Sequence, residues 1–432
     1  MRNVEVITAD NNLCVSCGIC KSVCPKKCIK FVRENGQYVP EVDESLCISC
    51  EICLNVCPGF EVNFDKLYSN LNMEKPNDFF VGSYIECYSS NANDSQIRSQ
   101  GVSGGCITAT VKNLLNSKEY DVAFLVDNYE YNDFIETHLY RKDDVLNNTT
   151  KSRYIPVSHS NMIKYILENR NDKVIIVATS CAVQGFLNVI SRFKLNRDNY
   201  LILGLFCDKT MSYNVYEYFN NYYKSKGELK KLLFRTKENG GWPGDVKLEY
   251  KNGQSIFLPA QERMILKDYF QLERCMYCID KLNQFSDISF GDNYTGKNHS
   301  KEGNNSVIIR TNRGMAAWNQ VDSYITSIKS LIEDIFESQH IGERLKNYSF
   351  AKVKEREIGF EIYKNFTIDE YKENEEIHKL MDSKLKLINI GRNYEVEHSA
   401  FDRRIKYLKI KNFAGRVRRY TIKKIRGFVK NE

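Results

Sequence analysis

Three short apolar runs stand out against a polar background: residues 121–127 (DVAFLVD), 173–178 (KVIIVA) and 200–206 (YLILGLF). Each has the length of a strand and no polar alternation, which predicts strands buried on both faces. Stretches of helical period lie between them, at 102–116 and 183–193. Strand–helix alternation over 81–315 predicts an α/β domain whose sheet is mostly parallel or mixed. Upstream, 30–47 (KFVRENGQYVPEVDESLC) reads as a β-hairpin turning at Asn35-Gly36. That places a small α+β domain at 1–65, and the Pro- and Asn-bearing stretch 66–80 reads as a linker. Downstream, 316–347 and 363–388 have helical character, so a helical extension is expected over 316–432.

Length and charge narrow the picture. The 432 residues suffice for two or three domains with a large core, and no covalent staples are needed. No apolar run approaches the roughly 18–20 residues of a membrane span, and the first residues lack an apolar signal core. A cytoplasmic location is the expectation. The net charge is +7, but twelve Lys/Arg and no Asp/Glu lie between 403 and 431; without them the rest carries −5. The tail sets Ile405, Tyr407, Leu408, Val417, Tyr420, Ile425 and Phe428 among those cations. It reads as a basic amphipathic segment suited to an acidic partner or to the inner face of a membrane, with a plain solvated helix as the alternative. No specific nucleic-acid partner is expected.

Fifteen cysteines carry the chemistry. Cys14, Cys17, Cys20 and Cys24 form C-x2-C-x2-C-x3-C before Pro25, and Cys47, Cys50, Cys53 and Cys57 repeat it before Pro58 after a constant offset of 33. Such a duplication, in which the close triplet holds one cube and the fourth cysteine reaches the other, is the spacing of a two-cluster bacterial ferredoxin, and the segment resembles that family. The expected ligand sets are Cys14, Cys17, Cys20 with Cys57, and Cys47, Cys50, Cys53 with Cys24. Paired zinc sites are the alternative. Cys28 fits neither motif and reads as a buried thiol.

A second constellation lies in the α/β region. Two predicted strands end at a cysteine, Cys181 and Cys207, and RCMYC adds Cys275 and Cys278. A helical crossover would make the strands parallel and bring their carboxyl ends, the usual ligand edge, to one side. Four thiolates would hold a third 4Fe-4S cluster; structural cysteines and a redox-active CxxC are the alternatives.

Seven tags in order carry a wider resemblance: Ser103-Gly104-Gly105, ATSCAVQG (178–185), LFC (205–207), FRTKENGGWPG (234–244), RCMYCID (274–280), DISFGD (287–292) and Gly314. Over 80–315 the chain is similar to the coenzyme F-420 hydrogenase/dehydrogenase beta subunit family. The resemblance implies FAD and one 4Fe-4S cluster in this domain, ligated by Cys181, Cys207, Cys275 and Cys278. It implies flavin or substrate contacts at Ser103, Gly104, Gly105, Thr179, Ser180, Lys237, Gly291 and Asp292. The family's Gly-Thr-Pro-Cys turn is here Ala178-Thr179-Ser180-Cys181, and Cys106 follows the glycine pair as a packing residue. No G-x-G-x-x-G fingerprint is present, so the case for a flavin is the need to convert one-electron into two-electron transfer. His138 and His159 belong to no motif.

The resulting expectation is an iron–sulfur flavoprotein oxidoreductase. Electrons would enter at the ferredoxin pair, from a redox partner or ferredoxin-like donor, and reach a small-molecule acceptor through the third cluster and FAD. The acceptor stays open between the deazaflavin coenzyme and a sugar-linked or other small metabolite. The alternatives are a non-catalytic subunit delivering electrons to a partner enzyme and a membrane-surface scaffold with structural clusters.

Overall fold

The computed structural model describes residues 2–428 apart from 72, 77, 128, 129, 132 and 133, with backbone alone over 412–428. Strands β1 (Ile29–Glu34) and β2 (Gln37–Val42) form the hairpin, pairing Glu34 with Gln37. Asn35 and Gly36 have φ of 50° and 74°, the left-handed pair that a two-residue turn between twisted strands requires. The 33-residue repeat is visible in the backbone. Ser16 and Ser49 are left-handed at φ 57° and 54°, and so are Gly18 and Glu51 at 73° and 53°, one residue before the short helices Ile19–Val23 and Ile52–Asn55.

The next strands are β3 (Glu86–Ala92), β4 (Val122–Val126), β5 (Thr137–Tyr140), β6 (Val174–Thr179) and β7 (Tyr200–Leu205). A three-stranded antiparallel meander follows: β8 (Leu229–Thr236), β9 (Asp245–Tyr250) and β10 (Ser255–Leu258). Then come β11 (Ile288–Asp292), β12 (Asn305–Ile309) and β13 (Ile325–Lys329). The main sheet has the order β13-β3-β12-β11-β7-β6-β4-β5. Its central strands β11, β7, β6 and β4 are parallel and both flanks antiparallel, so the sheet is mixed.

Alternation along the central strands feeds two cores. Val174, Ile176 and Ile202 pack with the helix Ser180–Phe193 and with Ile19 and Val56 of the ferredoxin segment. Ile175, Leu201 and Leu203 face the helices Cys106–Asn116 and Asn312–Gln320. Each such side chain contributes roughly 1.5–3 kcal/mol by leaving water.

The structure corrects two expectations. Part of the anticipated linker is the helix Phe64–Asn70, whose Phe64, Leu67 and Tyr68 are buried in the first core. Asn63 caps it by accepting from the Lys66 N–H. The stretch 316–347, expected to be helical, contains β13, whose β-branched Ile325, Thr326 and Ile328 pair with β3 at the sheet edge. The extension's longer elements are helices, among them Ile332–Ser338, Arg344–Ile358, Glu375–Arg392 and Tyr394–Phe428, and 359–374 joins two of them without a helix. Among the described residues no helix is long and apolar enough to cross a membrane. The basic amphipathic face expected over 403–430 falls largely on residues 412–432, whose side chains lie outside the described ones.

Candidate functional site

The N-terminal cysteines fall into two sets. Cys14, Cys17 and Cys20 are buried on the first repeat, and Cys57 comes to them from the second. Burial pushes the Cys14 thiol up to about 12, with the charge of Cys57 acting in the same direction. Cys17 is raised by burial and then by Cys57, and Cys20 by burial and then by Cys17, Cys57 and Cys14. Four thiols that resist ionisation together need a cationic centre to become thiolates. The backbone N–H groups of Ser16 and Gly59 donate to the sulfurs of Cys14 and Cys57 at 3.3 and 3.4 Å, contacts of the kind that tune a cluster. Cys24, Cys47, Cys50 and Cys53 line a separate small pocket. Cys28 is buried, as expected, but it also lines this pocket, with its sulfur 3.3 Å from that of Cys24.

The body contains a cavity of about 800 Å³ at the carboxyl ends of β6 and β7. Cys181 enters it from the first turn of the helix after β6, and Cys207 from two residues beyond β7. Cys275 and Cys278 enter from the turn Glu273–Tyr277 and the residue after it. Burial raises the Cys207 thiol, and next Cys275, Cys181 and Cys278, so the four form one electrostatic group. Burial also pushes Cys275 up to about 12, against the Thr210 N–H, which donates to its sulfur at 3.4 Å. All four are free thiols. Among the described residues no three His, Cys, Asp or Glu side chains close on a single-ion point; the thiols line the walls of larger spaces. A soft, all-sulfur donor set around such a space fits an iron–sulfur cube. Cys17 lines the same cavity, and Cys14 and Cys17 both feel the charge of Cys181, so the inner ferredoxin set adjoins the body set.

Of the expected flavin contacts, Ser103, Gly105, Thr179, Ser180, Gly291 and Asp292 line this cavity, and Gly104 and Lys237 do not. The Ser103 hydroxyl donates to the Asn304 carbonyl at 2.6 Å rather than capping the next helix. That helix has Gly105, at φ 79°, as its cap residue, and the Cys106 N–H donates to Asn305 Oδ1. Gly104 is a packing glycine: a Cβ there would stand 2.6 Å from the Ser90 carbonyl oxygen. A Cβ on Gly291 would strike the Phe206 ring at 2.0 Å. Thr179 Oγ1 lies 3.5 Å from the Cys181 sulfur, and the Ser180 hydroxyl donates to the Asp280 carbonyl at 2.7 Å.

Two of these polar side chains are held by the protein itself. Asp292 accepts from both Nη groups of Arg235, at 2.6 and 2.9 Å, and from Trp242 Nε1 at 2.7 Å. The Lys237 ammonium donates to the carbonyls of Arg98, Ser103 and Glu302 and straps their loops together.

Sequence reasoning missed Tyr154 and Arg274 on the cavity wall. Arg263 lies over the Tyr154 ring at 4.8 Å and Lys267 at 5.5 Å. Burial opposes ionisation of Tyr154, but Arg235 and Arg263 bring its hydroxyl below the ordinary tyrosine range. Arg274 stood inside the RCMYC tag, and its adjacency to Cys275 was the available signal. His159, given no role from sequence, lines the cavity, and its backbone N–H donates to the Cys17 carbonyl.

Residues 13–59 match the 4Fe-4S dicluster domain model. Residues 87–164 match the N-terminal model of the coenzyme F420 hydrogenase/dehydrogenase beta subunit, and 171–331 match its C-terminal model. Over 217 residues the chain is 25% identical to the F420-dependent formate dehydrogenase 1 subunit beta of Methanococcus maripaludis, covering 48% of this chain and 52% of that protein. The chain thus spans about half the length of the curated relative it matches. The fold is similar to a chain in the structure of the F420-reducing NiFe hydrogenase complex from Methanosarcina barkeri. The TM-score is 0.50 and the identity 18%, over 68% of this chain and all of that one. The cysteine repeat, the mixed sheet and these matches together place the chain in the coenzyme F-420 hydrogenase/dehydrogenase beta subunit family, with a 4Fe-4S dicluster domain at its N-terminus.

Proposed function

We propose that the chain is an iron–sulfur flavoprotein oxidoreductase subunit. It passes electrons between its ferredoxin segment and a two-electron acceptor in the large cavity. The observation that carries this reading is that one cavity holds the four body cysteines, a ferredoxin cysteine and most of the expected flavin contacts. In this reading Cys14, Cys17, Cys20 and Cys57 hold one cluster, Cys24, Cys47, Cys50 and Cys53 a second, and Cys181, Cys207, Cys275 and Cys278 a third. Bound there, the clusters supply one-electron transfer and FAD the change to two-electron chemistry. The protein's part is to keep Cys17 and Cys181 on adjoining walls, to hold the end of β11 at 291–292 through Arg235, and to present Tyr154 among cations. A subunit that hands electrons to a partner enzyme is the second reading, favoured by the naming of the formate dehydrogenase relative as a subunit. The basic tail would dock that partner or an anionic membrane face.

Anaerobic purification tests the proposal. About twelve irons per chain with acid-released flavin are expected, and about eight irons without flavin would leave a carrier only. Replacing Cys275 and Cys278 by Ser is expected to remove about a third of the iron and spare the ferredoxin signals. Unchanged iron would refute the third ligand set.

A further inference from the structure

Arg274 is 4% exposed, yet among the described residues it forms no ion pair with a carboxylate. Its neighbour Glu273 is committed elsewhere, to Lys354 at 3.3 Å and Arg392 at 3.0 Å. The Nε and Nη1 groups of Arg274 are buried without a hydrogen-bond partner. Nη2 makes a long bond of 3.4 Å to the carbonyl of Pro58, the residue after Cys57, and the guanidinium stands 5.7 Å from the Tyr363 ring centre. A buried charge this poorly bonded is strongly unfavourable unless something anionic faces it. Besides the Tyr363 side chain, sulfur stands on two sides: Cys57 of the inner ferredoxin set, and Cys181, Cys275 and Cys278 of the body set, all of which feel its positive charge. It lines the cavity together with Cys17 and the body cysteines.

We propose that Arg274 is a shared counterion between the inner ferredoxin cluster and the body cluster, setting the potentials of both; this rests on the third-cluster reading above. A 4Fe-4S cube with four thiolates is anionic and gains one negative charge on reduction. A cation held close in a dry interior therefore stabilises the reduced form and raises the potential. One guanidinium between two cubes acts on both, and an electron moving from one to the other stays beside the same charge. No proton or bond change is involved. The outer ferredoxin set, Cys24, Cys47, Cys50 and Cys53, lines the separate small pocket, and Arg274 is not among that pocket's walls.

The test is an EPR-monitored redox titration of the full-length holoprotein, anaerobically, for wild type, Arg274→Gln and Arg274→Lys, with iron counted in each. In Arg274→Gln the potentials of the inner ferredoxin cluster and the body cluster should fall while the outer cluster keeps its value. Arg274→Lys should return both toward wild type. If Arg274→Gln fails to retain the body cluster, the inner ferredoxin signal still reads the lost charge and should shift downward. About twelve irons with no selective shift in Arg274→Gln would overturn the counterion role alone. About eight irons in the wild type would overturn the third-cluster reading and this inference with it.

Discussion

Arg235 and Asp292 form the most enclosed ion pair lining the cavity; the arginine side chain is 2% exposed. Arg235 also donates to the carbonyls of Pro243 and Val102, so its guanidinium ties the meander to the loop before the helix Cys106–Asn116. Replacing Asp292 by Asn leaves a buried cation without its anion, which typically costs about 3–5 kcal/mol. Urea unfolding at pH 7 should show that loss. Burial alone would raise the Asp292 carboxyl, but Arg235 and Trp242 hold it below the ordinary carboxylate value. Stability from the pair is therefore complete above pH about 4, the unfolded value, and is lost as pH falls through the lower folded value. The gap between wild type and Asp292→Asn should persist at pH 5 and narrow below pH 4. Lys237 gives a parallel case, its ammonium lowered to about 8 by burial and still charged at pH 7. Lys237→Met removes one donor from three carbonyls and should cost on the order of 1–3 kcal/mol, with iron content unchanged. Neither role was legible in sequence, because the partners stand 57 residues away for Arg235 and Asp292 and 65 to 139 away for Lys237. Residue types announced charge; only the fold shows where it is spent.

At the scale of elements, the helix Ser180–Phe193 joins chemistry to packing. Its first turn carries Cys181, and one turn on Gly185 lets the ferredoxin segment approach. A Cβ at Gly185 would stand 2.6 Å from Ile19 Cδ1, 3.2 Å from Pro58 Cδ and 3.3 Å from the Val56 carbonyl oxygen. Gly185→Leu should therefore push the ferredoxin segment off the helix, at the 1–3 kcal/mol typical of overpacking. Faster proteolysis within 59–80, with ferredoxin EPR signals retained, would register it; an unchanged digestion pattern would mean that the interface yields without separating. The same element shows what a sequence exposes. The β6 and β7 runs were readable because both faces are buried, and the hairpin because Asn-Gly has few other uses. Strands β3 (ECYSSNA) and β13 were not, since flanking strands with polar or half-exposed positions lack an unbroken apolar run. The cysteine sets were legible because ligand chemistry fixes spacing along the chain, while their meeting across β6, β7 and the 273–278 turn depends on the parallel crossover.

Over the whole molecule, the carboxyl-terminal helix Tyr394–Phe428 packs on the meander's core and touches the ferredoxin hairpin, where Glu395 accepts from Arg33 at 2.9 Å. Phe401 and Ile405, 2% and 0% exposed, pack with Tyr218, Phe270 and Tyr394 against the meander's core. Arg404 Nε donates to the Tyr269 hydroxyl at 3.1 Å. Lys409 pairs with Glu262 at 2.5 Å and lies 4.3 Å from the Tyr222 ring centre. Two of the tail's cations are thus part of the fold, and a charge count alone credits them to docking. A chain ending at Ala400 loses Phe401 and Ile405 together and opens the core beside Tyr218. Phe→Ala changes in cores cost about 3–5 kcal/mol, so this truncation should lower the urea midpoint sharply. A chain ending at Lys411 keeps Phe401, Ile405, Arg404 and Lys409 and should unfold at the wild-type midpoint. It also separates fold from docking: reduced sedimentation with anionic vesicles, or loss of a captured partner, at an unchanged midpoint would assign the docking role to residues 412–432. Binding that falls only in the shorter chain, together with its stability, would assign the basic segment to the architecture instead.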